Sequence, residues 1–209
     1  NTISNFYIPY GIAPNVVVNG HTYHVPVVIE ESSVVAAASS SSKFWSERGG
    51  FNAEIIGVEK VGQVHFIWSG DKVKLQKVFD ELKYYLRGAT KDITKNMESR
   101  GGGILDFELI DFTQEIDNYY QLKATFDTVD SMGANFINSC LEEFASALQE
   151  FFRTHKAFSK DEKECEVVMS ILSNYTPECL VRVWVECDFK DLEGIFKDMT
   201  GERFARKFE

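Results

Sequence analysis

Positive charge is in short supply in this 209-residue chain. Its 22 Lys and Arg stand against 32 Asp and Glu, a formal charge of −10. There is neither the basic balance nor the basic stripe of a nucleic-acid binder. Long apolar runs are missing too. Stretches such as Val25 to Ile29 are far too short to cross a bilayer, so no membrane partner is expected. No charged, apolar and small-residue sequence opens the chain as a secretion signal would. The four cysteines, Cys140, Cys165, Cys179 and Cys187, show no C-x-x-C spacing, and the four histidines, His21, His24, His65 and His155, no H-E-x-x-H spacing. Reduced thiols and no metal are expected, with the cytoplasm as the default location. Internal repeats, a low-complexity tail and coiled-coil heptads are also absent.

What is present reads as alternating helix and strand. Asn19-Gly20 lies between β-branched runs, the strongest short hairpin signal, with "NVVV" and "HVPVVIE" as its arms. From Ser32 or Ser33 the pattern turns helical through Ala36, Ala37 and Ala38, and Arg48-Gly49-Gly50 closes that helix. "NAEIIGVEKVGQVHFIW" then reads as extended, with a break near Gly62. Val61–Trp68 is expected as a strand and Lys72–Arg87 as a helix. "SRGGG" reads as a mobile turn, Ile104–Phe112 and Tyr119–Asp127 as strands, "SMGANFINSCLEEFASALQEFFRTH" as a long amphipathic helix and "CEVVMSILSN" as a strand. This β-α-β-β-α-β order is the split β-α-β, ferredoxin-like pattern, so the fold class is α+β. After Pro177, "CLVRVWVECDF" reads as one more strand before a helix start. Both ends read as cuts through a longer protein, "GERFARKFE" stopping inside a helix.

Three stretches could carry chemistry. In "VVIEESSVVAAAS" the adjacent Glu30 and Glu31 point to opposite faces of an extended segment, so one of them is expected to face inward. Apolar surroundings would raise the pKa of that carboxyl toward a general acid's range, while a helix N-terminus would stabilise the anion. A solvated pair capping a helix is the plainer alternative. The small side chains behind the pair suit either close packing or the approach of a bulky ligand or second subunit. In "DSMGAN", Asp130 to Asn135, Gly133 removes bulk where the free N–H groups of a helix start could hold a phosphate. The stretch is not the G-x-G-x-x-G of a Rossmann turn, and Asp130 suits a ribose or amide donor, or simply a helix cap. "SRGGG" could admit a cofactor's approach or be a loose hairpin, and His24 and His65, on strands, read as packed or hydrogen-bonded rather than catalytic.

"GIAPNVVVNGHTYHVPVVIEESSVVAAAS", followed by "GGF" and "VGQVHF", closely resembles the class II, bacterial-type 3-hydroxy-3-methylglutaryl-coenzyme A reductases. "DSMGAN" resembles that family's dinucleotide signature, usually DAMGAN, and "SILSNY" the stretch where its small domain returns to its large one. The likeness runs along essentially the whole chain, in order. It implies reduction of hydroxymethylglutaryl-CoA to mevalonate with two hydrides from NADPH or NADH, or the reverse, in isoprenoid metabolism. It also implies a large CoA- and substrate-binding domain (1–60 and, truncated, 176–209) with an inserted ferredoxin-like, non-Rossmann dinucleotide domain (61–175). By position, Glu31 matches the catalytic glutamate, the proton donor to the developing alkoxide, which leaves Glu30 a structural role. Ser33 matches the substrate-contacting serine, and Asp130, Met132, Gly133 and Asn135 the cofactor signature. The family's active site at a dimer interface implies a homodimer or a multiple of it.

The sequence departs from the family at Ser32, where proline is usual, and at Ser131, where alanine is usual; neither change removes a functional group. The family's oxyanion-stabilising lysine, its neighbouring aspartate and its late histidine match nothing before Glu209, so the 209 residues alone are expected to be inactive. The choice between NADH and NADPH stays open, with Lys91, Lys95 and Arg100 beside Asp92 and Glu98. The rival reading is a non-catalytic ferredoxin-like module that binds a nucleotide or a partner chain.

Overall fold

Asn19 and Gly20 both take left-handed backbone angles, with φ of 49° and 79°. That is the turn which matches the right-handed twist of two strands. In the computed structural model, which describes residues 2–195 and 197–207, they join β1 (Tyr10–Val18) to β2 (His21–Val28), paired antiparallel from Tyr10↔Val28 to Val18↔His21. The Asn19 side chain fixes the turn further: its amide donates to the Ala53 carbonyl at 2.9 Å and its oxygen accepts from the Ala53 N–H at 2.8 Å. Helix α1 (Ser32–Ser46) follows and lies on β1. A Cβ at Gly11 would stand 2.9 Å from Val35, so the missing side chain lets helix and strand approach. Gly49 and Gly50, at φ of 94° and 79°, end the helix as expected, with the Gly50 N–H donating to the Trp45 carbonyl.

Contacts divide the chain into two compact units, one of residues 1–55 and 181–209, the other of residues 56–180. The chain passes between them in β3 (Asn52–Val58) and β8 (Cys179–Trp184), which pair as a two-stranded sheet. The second unit holds β4 (Lys60–Ile67), α2 (Lys72–Lys77), α3 (Phe79–Ala89), α4 (Lys91–Glu98), β5 (Gly103–Asp111), β6 (Tyr119–Asp127), α5 (Ala134–Thr154) and β7 (Glu166–Leu172). The strands run in the order β5-β6-β4-β7, and every neighbouring pair is antiparallel. With the helices counted between β4 and β5 and between β6 and β7, this is the split β-α-β arrangement in its β-α-β-β-α-β order. Alternate residues of β4 and β6, among them Val64, Phe66, Leu122, Ala124 and Phe126, point at the helices. They meet Leu75, Leu82, Leu86, Leu141, Phe144, Leu148 and Phe152 in one continuous core. No helix among the described residues is long and apolar enough to cross a membrane.

Several local expectations are corrected. The helix expected over Lys72–Arg87 is broken at Val78, whose φ of −100° and ψ of 6° lie off the helical values. Asp71 starts the first piece by accepting from the Val73 N–H. A further helix, α4, occupies the stretch after Thr90, where the sequence reading assigned no element. The break expected near Gly62 falls instead at Glu59. Gly62 is inside β4, and a Cβ there would come within 2.7 Å of Leu141 on α5, so the glycine serves helix-on-strand packing. Within the "SRGGG" turn Gly102 is likewise packed, since a Cβ there would reach 2.5 Å from the Asp127 carbonyl, whereas Gly101 stands in open space. The final helix α6 spans Gly201–Ala205, ending before the close of "GERFARKFE", whose last two residues lie outside those described.

The loop after α5 is locked by one carboxylate. Glu162 accepts from the Lys74 ammonium at 2.7 Å, from the Ser159 N–H and hydroxyl, and from the Asp71 N–H, while its carbonyl accepts from the Trp68 indole. The Lys74 ammonium, then the backbone donors, hold this carboxyl down at about 2, against an ordinary value of 4.5. A depressed folded-state pKa stabilises the fold above the unfolded value and is lost as pH falls through the folded one. Glu162→Gln therefore lowers Tm at pH 7, and the gap to the unsubstituted protein closes between pH 4.5 and 2. Thermal melts across that range check it; an undiminished gap at the acid end would rule the carboxylate out.

Candidate functional site

In the first unit the strand–helix junction places both acids. Backbone at Glu31 is still extended, φ −119° and ψ 112°, and α1 begins at the next residue. Glu31 is thus the N-cap position, where Ser32 or Ser33 was expected. Its side chain does not take the cap hydrogen bond, because the Ser33 hydroxyl donates to its Oε1. The other oxygen, Oε2, has no intramolecular partner among the described residues. Both Glu30 and Glu31 are exposed, which corrects the expectation that one faces inward. The reason is the turn into α1, which leaves this end of the hairpin uncovered: Val28 and Val34 on either side are exposed as well. Ala36 and Ala37 are exposed on one side of α1, whereas Ser39 and Ser42 turn inward, Ser39 donating to the Val35 carbonyl. Small size thus serves packing on one face and leaves the other open.

In the second unit the "DSMGAN" stretch forms the connection between β6 and α5. Its path is set by Ser131, noted above as a departure from the family, together with Thr128 and Lys60, which local sequence does not mark. Thr128, 1% exposed, donates its hydroxyl to the Ser131 carbonyl at 2.7 Å, and the Ser131 hydroxyl returns a bond to the Thr128 carbonyl at 2.8 Å. The Lys60 ammonium donates to Thr128 Oγ1 at 2.6 Å and to the carbonyls of Ser131 at 2.7 Å and Met132 at 3.1 Å. Local spacing gives no sign of Lys60, since its acceptors lie 68 to 72 residues further along the chain. Gly133 is the N-cap of α5 at φ 79°, so Asp130 is not a helix cap. The Asp130 and Asn135 side chains have no intramolecular partner among the described residues, and both are exposed, as is Met132 at 77%.

Around this turn, Met97, Arg100, Ser131, Met132, Gly133 and Asn135 border a groove of about 360 Å³. The Arg100 guanidinium touches only the Asn96 carbonyl and Met97 sulfur, so it has no carboxylate partner among the described residues. Lys91 and Lys95 lie on α4 and are exposed. His65 is packed, as read: Nδ1 meets the Tyr119 hydroxyl at 2.9 Å, and burial pushes its pKa down. Cys140 and Cys165 are pushed up to about 12 by burial, which keeps these thiols protonated at neutral pH.

From residue 1 to residue 209 the chain matches the family model of hydroxymethylglutaryl-coenzyme A reductase. The chain belongs to that family. Among curated reductases it is 31% identical over 195 residues to the probable 3-hydroxy-3-methylglutaryl-coenzyme A reductase of Borreliella burgdorferi, covering 92% of this chain and 41% of that protein. It is 30% identical over 151 residues to the Archaeoglobus fulgidus reductase, covering 71% and 34%. A solved reductase of Streptococcus pneumoniae superposes with a TM-score of 0.77 at 31% identity, covering 99% of this chain and 52% of that one. The class II reductase of the same organism, bound to NADPH in open conformations, gives 0.73 at 32%, covering 92% and 49%. The chain therefore spans between about a third and a half of the length of these reductases.

Proposed function

We propose that this chain carries the proton-donating and dinucleotide-binding parts of a hydroxymethylglutaryl-coenzyme A reductase. The reaction is reduction of the thioester to mevalonate with NADPH or NADH, or its reverse. The observation that carries this reading is the Ser33 hydroxyl on Glu31 Oε1, in a chain that matches the reductase family throughout. Held from one side, the carboxyl keeps its second oxygen free at the open end of α1. Protonated, it can hand its proton to an alkoxide forming on a substrate there, and in the reverse direction its anion can accept one. Ser33 stands where it can both orient that carboxyl and touch the substrate.

The turn between β6 and α5 suits a dinucleotide. Among the described residues the N–H groups of Met132, Gly133 and the first turn of α5 have no backbone partners, an arrangement that favours a phosphate. A side chain at Gly133 would intrude on Thr128, and Arg100 brings an unpaired cation to the groove. Asp130 and Asn135, both free to bond, suit ribose hydroxyls and amide groups. A nicotinamide dinucleotide bound there supplies hydride. The second unit is accordingly the dinucleotide domain and the first the substrate domain, in a cytoplasmic homodimer or a multiple of one. Support for association is the exposed apolar surface of Tyr10, Ile12, Tyr23 and Val28 on the hairpin.

Among the described residues no lysine, arginine or histidine pairs with Glu31. Without a cation on the oxyanion, about 3 kcal/mol or more of barrier lowering is missing. The purified 209-residue chain is expected to bind NADPH, seen by fluorescence titration, but to give no mevalonate-dependent reduction of NADP⁺. Turnover by this chain would overturn that division of labour, and failure to bind NADPH would overturn the dinucleotide site.

A further inference from the structure

We infer that Lys60 is a positioning residue of the dinucleotide site, which it builds by turning two peptide groups of the β6–α5 connection so that their N–H groups face the ligand. The inference rests on the dinucleotide reading above and adds to it the group that orders the turn.

In a chain of charge −10, the Lys60 ammonium makes no ion pair with any carboxylate among the described residues. An ammonium has three donors, and all three are engaged by neutral oxygens: Thr128 Oγ1, the Ser131 carbonyl and the Met132 carbonyl. Its position follows from register. Lys60 is the first residue of β4 and pairs with Phe126, two residues before Thr128. The side chain therefore starts beside the end of β6 and reaches the turn from within the domain.

Peptide planarity supplies the consequence. In a trans peptide the carbonyl of one residue and the N–H of the next point in opposite directions. With the Ser131 carbonyl drawn to Lys60, the Met132 N–H is turned away from it; with the Met132 carbonyl drawn in, the Gly133 N–H is turned away likewise. Neither N–H has a backbone partner among the described residues. Both residues border the groove that also takes Arg100 and Asn135. Successive N–H groups facing one way form an anion-binding concavity, and the ammonium behind them leaves an uncompensated positive charge on its inner side. The ligand chemistry this fits is a diphosphate. Hydrogen bonds from a charged donor are the stronger kind, so the orientation is set before any ligand arrives.

The test uses the 209-residue chain with Lys60→Met, Lys60→Gln and Lys60→Arg, each checked for folding by thermal melt. Crystal structures read the peptides, and titrations with NADPH and, separately, inorganic pyrophosphate read the site. In Lys60→Met, or in Lys60→Gln if the methionine variant does not fold, the Ser131–Met132 or Met132–Gly133 peptide is expected to turn. Affinity for both probes falls about tenfold or more. Lys60→Arg retains most of the affinity, which a purely space-filling role would not require. Unchanged peptides in the folded neutral variants, or NADPH bound as tightly as by the unsubstituted chain, overturn the role of Lys60 and leave the dinucleotide reading standing. Failure of the unsubstituted chain to bind either probe overturns both.

Discussion

Glu31→Gln is expected to lower the rate of mevalonate-dependent NADP⁺ reduction by about 10²- to 10⁴-fold, the span for removal of a positioned proton donor, which is the role proposed for Glu31. The measurement belongs on the protein as expressed from its own gene. Glutamine keeps the shape of the side chain and still offers an oxygen to the Ser33 hydroxyl; what it loses is the proton. The fold has little stake in the exchange. Glu31 is exposed, makes no ion pair among the described residues and does not cap α1 with its side chain. The cost to stability is accordingly about 0.5 kcal/mol or less, mostly the loss of an anion at a helix N-terminus. Glu30→Gln is the internal control: equally exposed, one residue away and without the serine partner, it should leave turnover within about twofold. A Glu31→Gln protein that turns over normally would end the assignment of Glu31 as the proton donor.

Gly133→Ala is expected to cost about 2–4 kcal/mol, with a fall in Tm on the order of 10 °C, and to abolish NADPH binding. Two penalties combine. Backbone at φ 79° strains any residue with a Cβ, and that Cβ would stand 2.3 Å from Thr128 Cγ2 and 2.9 Å from its hydroxyl. Thr128 cannot step aside cheaply, because it is buried and tied to both Lys60 and Ser131. Gly101→Ala separates the penalties, since Gly101 has φ 94° but open space around its missing Cβ. It should cost only about 1–2 kcal/mol. Equal losses in the two variants would mean that contact with Thr128 contributes nothing.

The parts of the fold that were legible in sequence are those written in local rules. Asn19-Gly20 announced its turn because few other residue pairs tolerate two left-handed angles in succession. Tyr119–Asp127 was bounded correctly because apolar and polar residues alternate from Tyr120 onward and the flanking residues break the pattern. Parts that depend on distant partners were not legible. Gly62 resembles a breaker until Leu141 is seen against it, and the break at Val78 has no proline or glycine to mark it. At the candidate site, periodicity could say that Glu30 and Glu31 point apart, but not that the turn into α1 leaves both in solvent. Glu31 and Ser33 were singled out by resemblance, and the bond between them adds a physical reason for the pairing. Lys60 was invisible because its acceptors are backbone atoms brought near only by the pairing of β4 with β6.

The distribution of the core has a consequence for how the molecule opens. Among the described residues, Ala13 is the sole buried apolar side chain in the first unit; all the others lie between Val64 and Phe158. Cooperative resistance to opening follows buried apolar contact, so the two units occupy different rungs of stability. Amide protons of β4 and β6 are expected to exchange with solvent only through global unfolding, and those of the β1–β2 hairpin through sub-global opening at a small fraction of that free energy. The carboxylate proposed as the proton donor therefore sits on the softer rung, and the turn proposed to hold the dinucleotide on the harder one. In energetic terms, the hairpin's own sub-global opening sets how long Glu31 stays in place on α1.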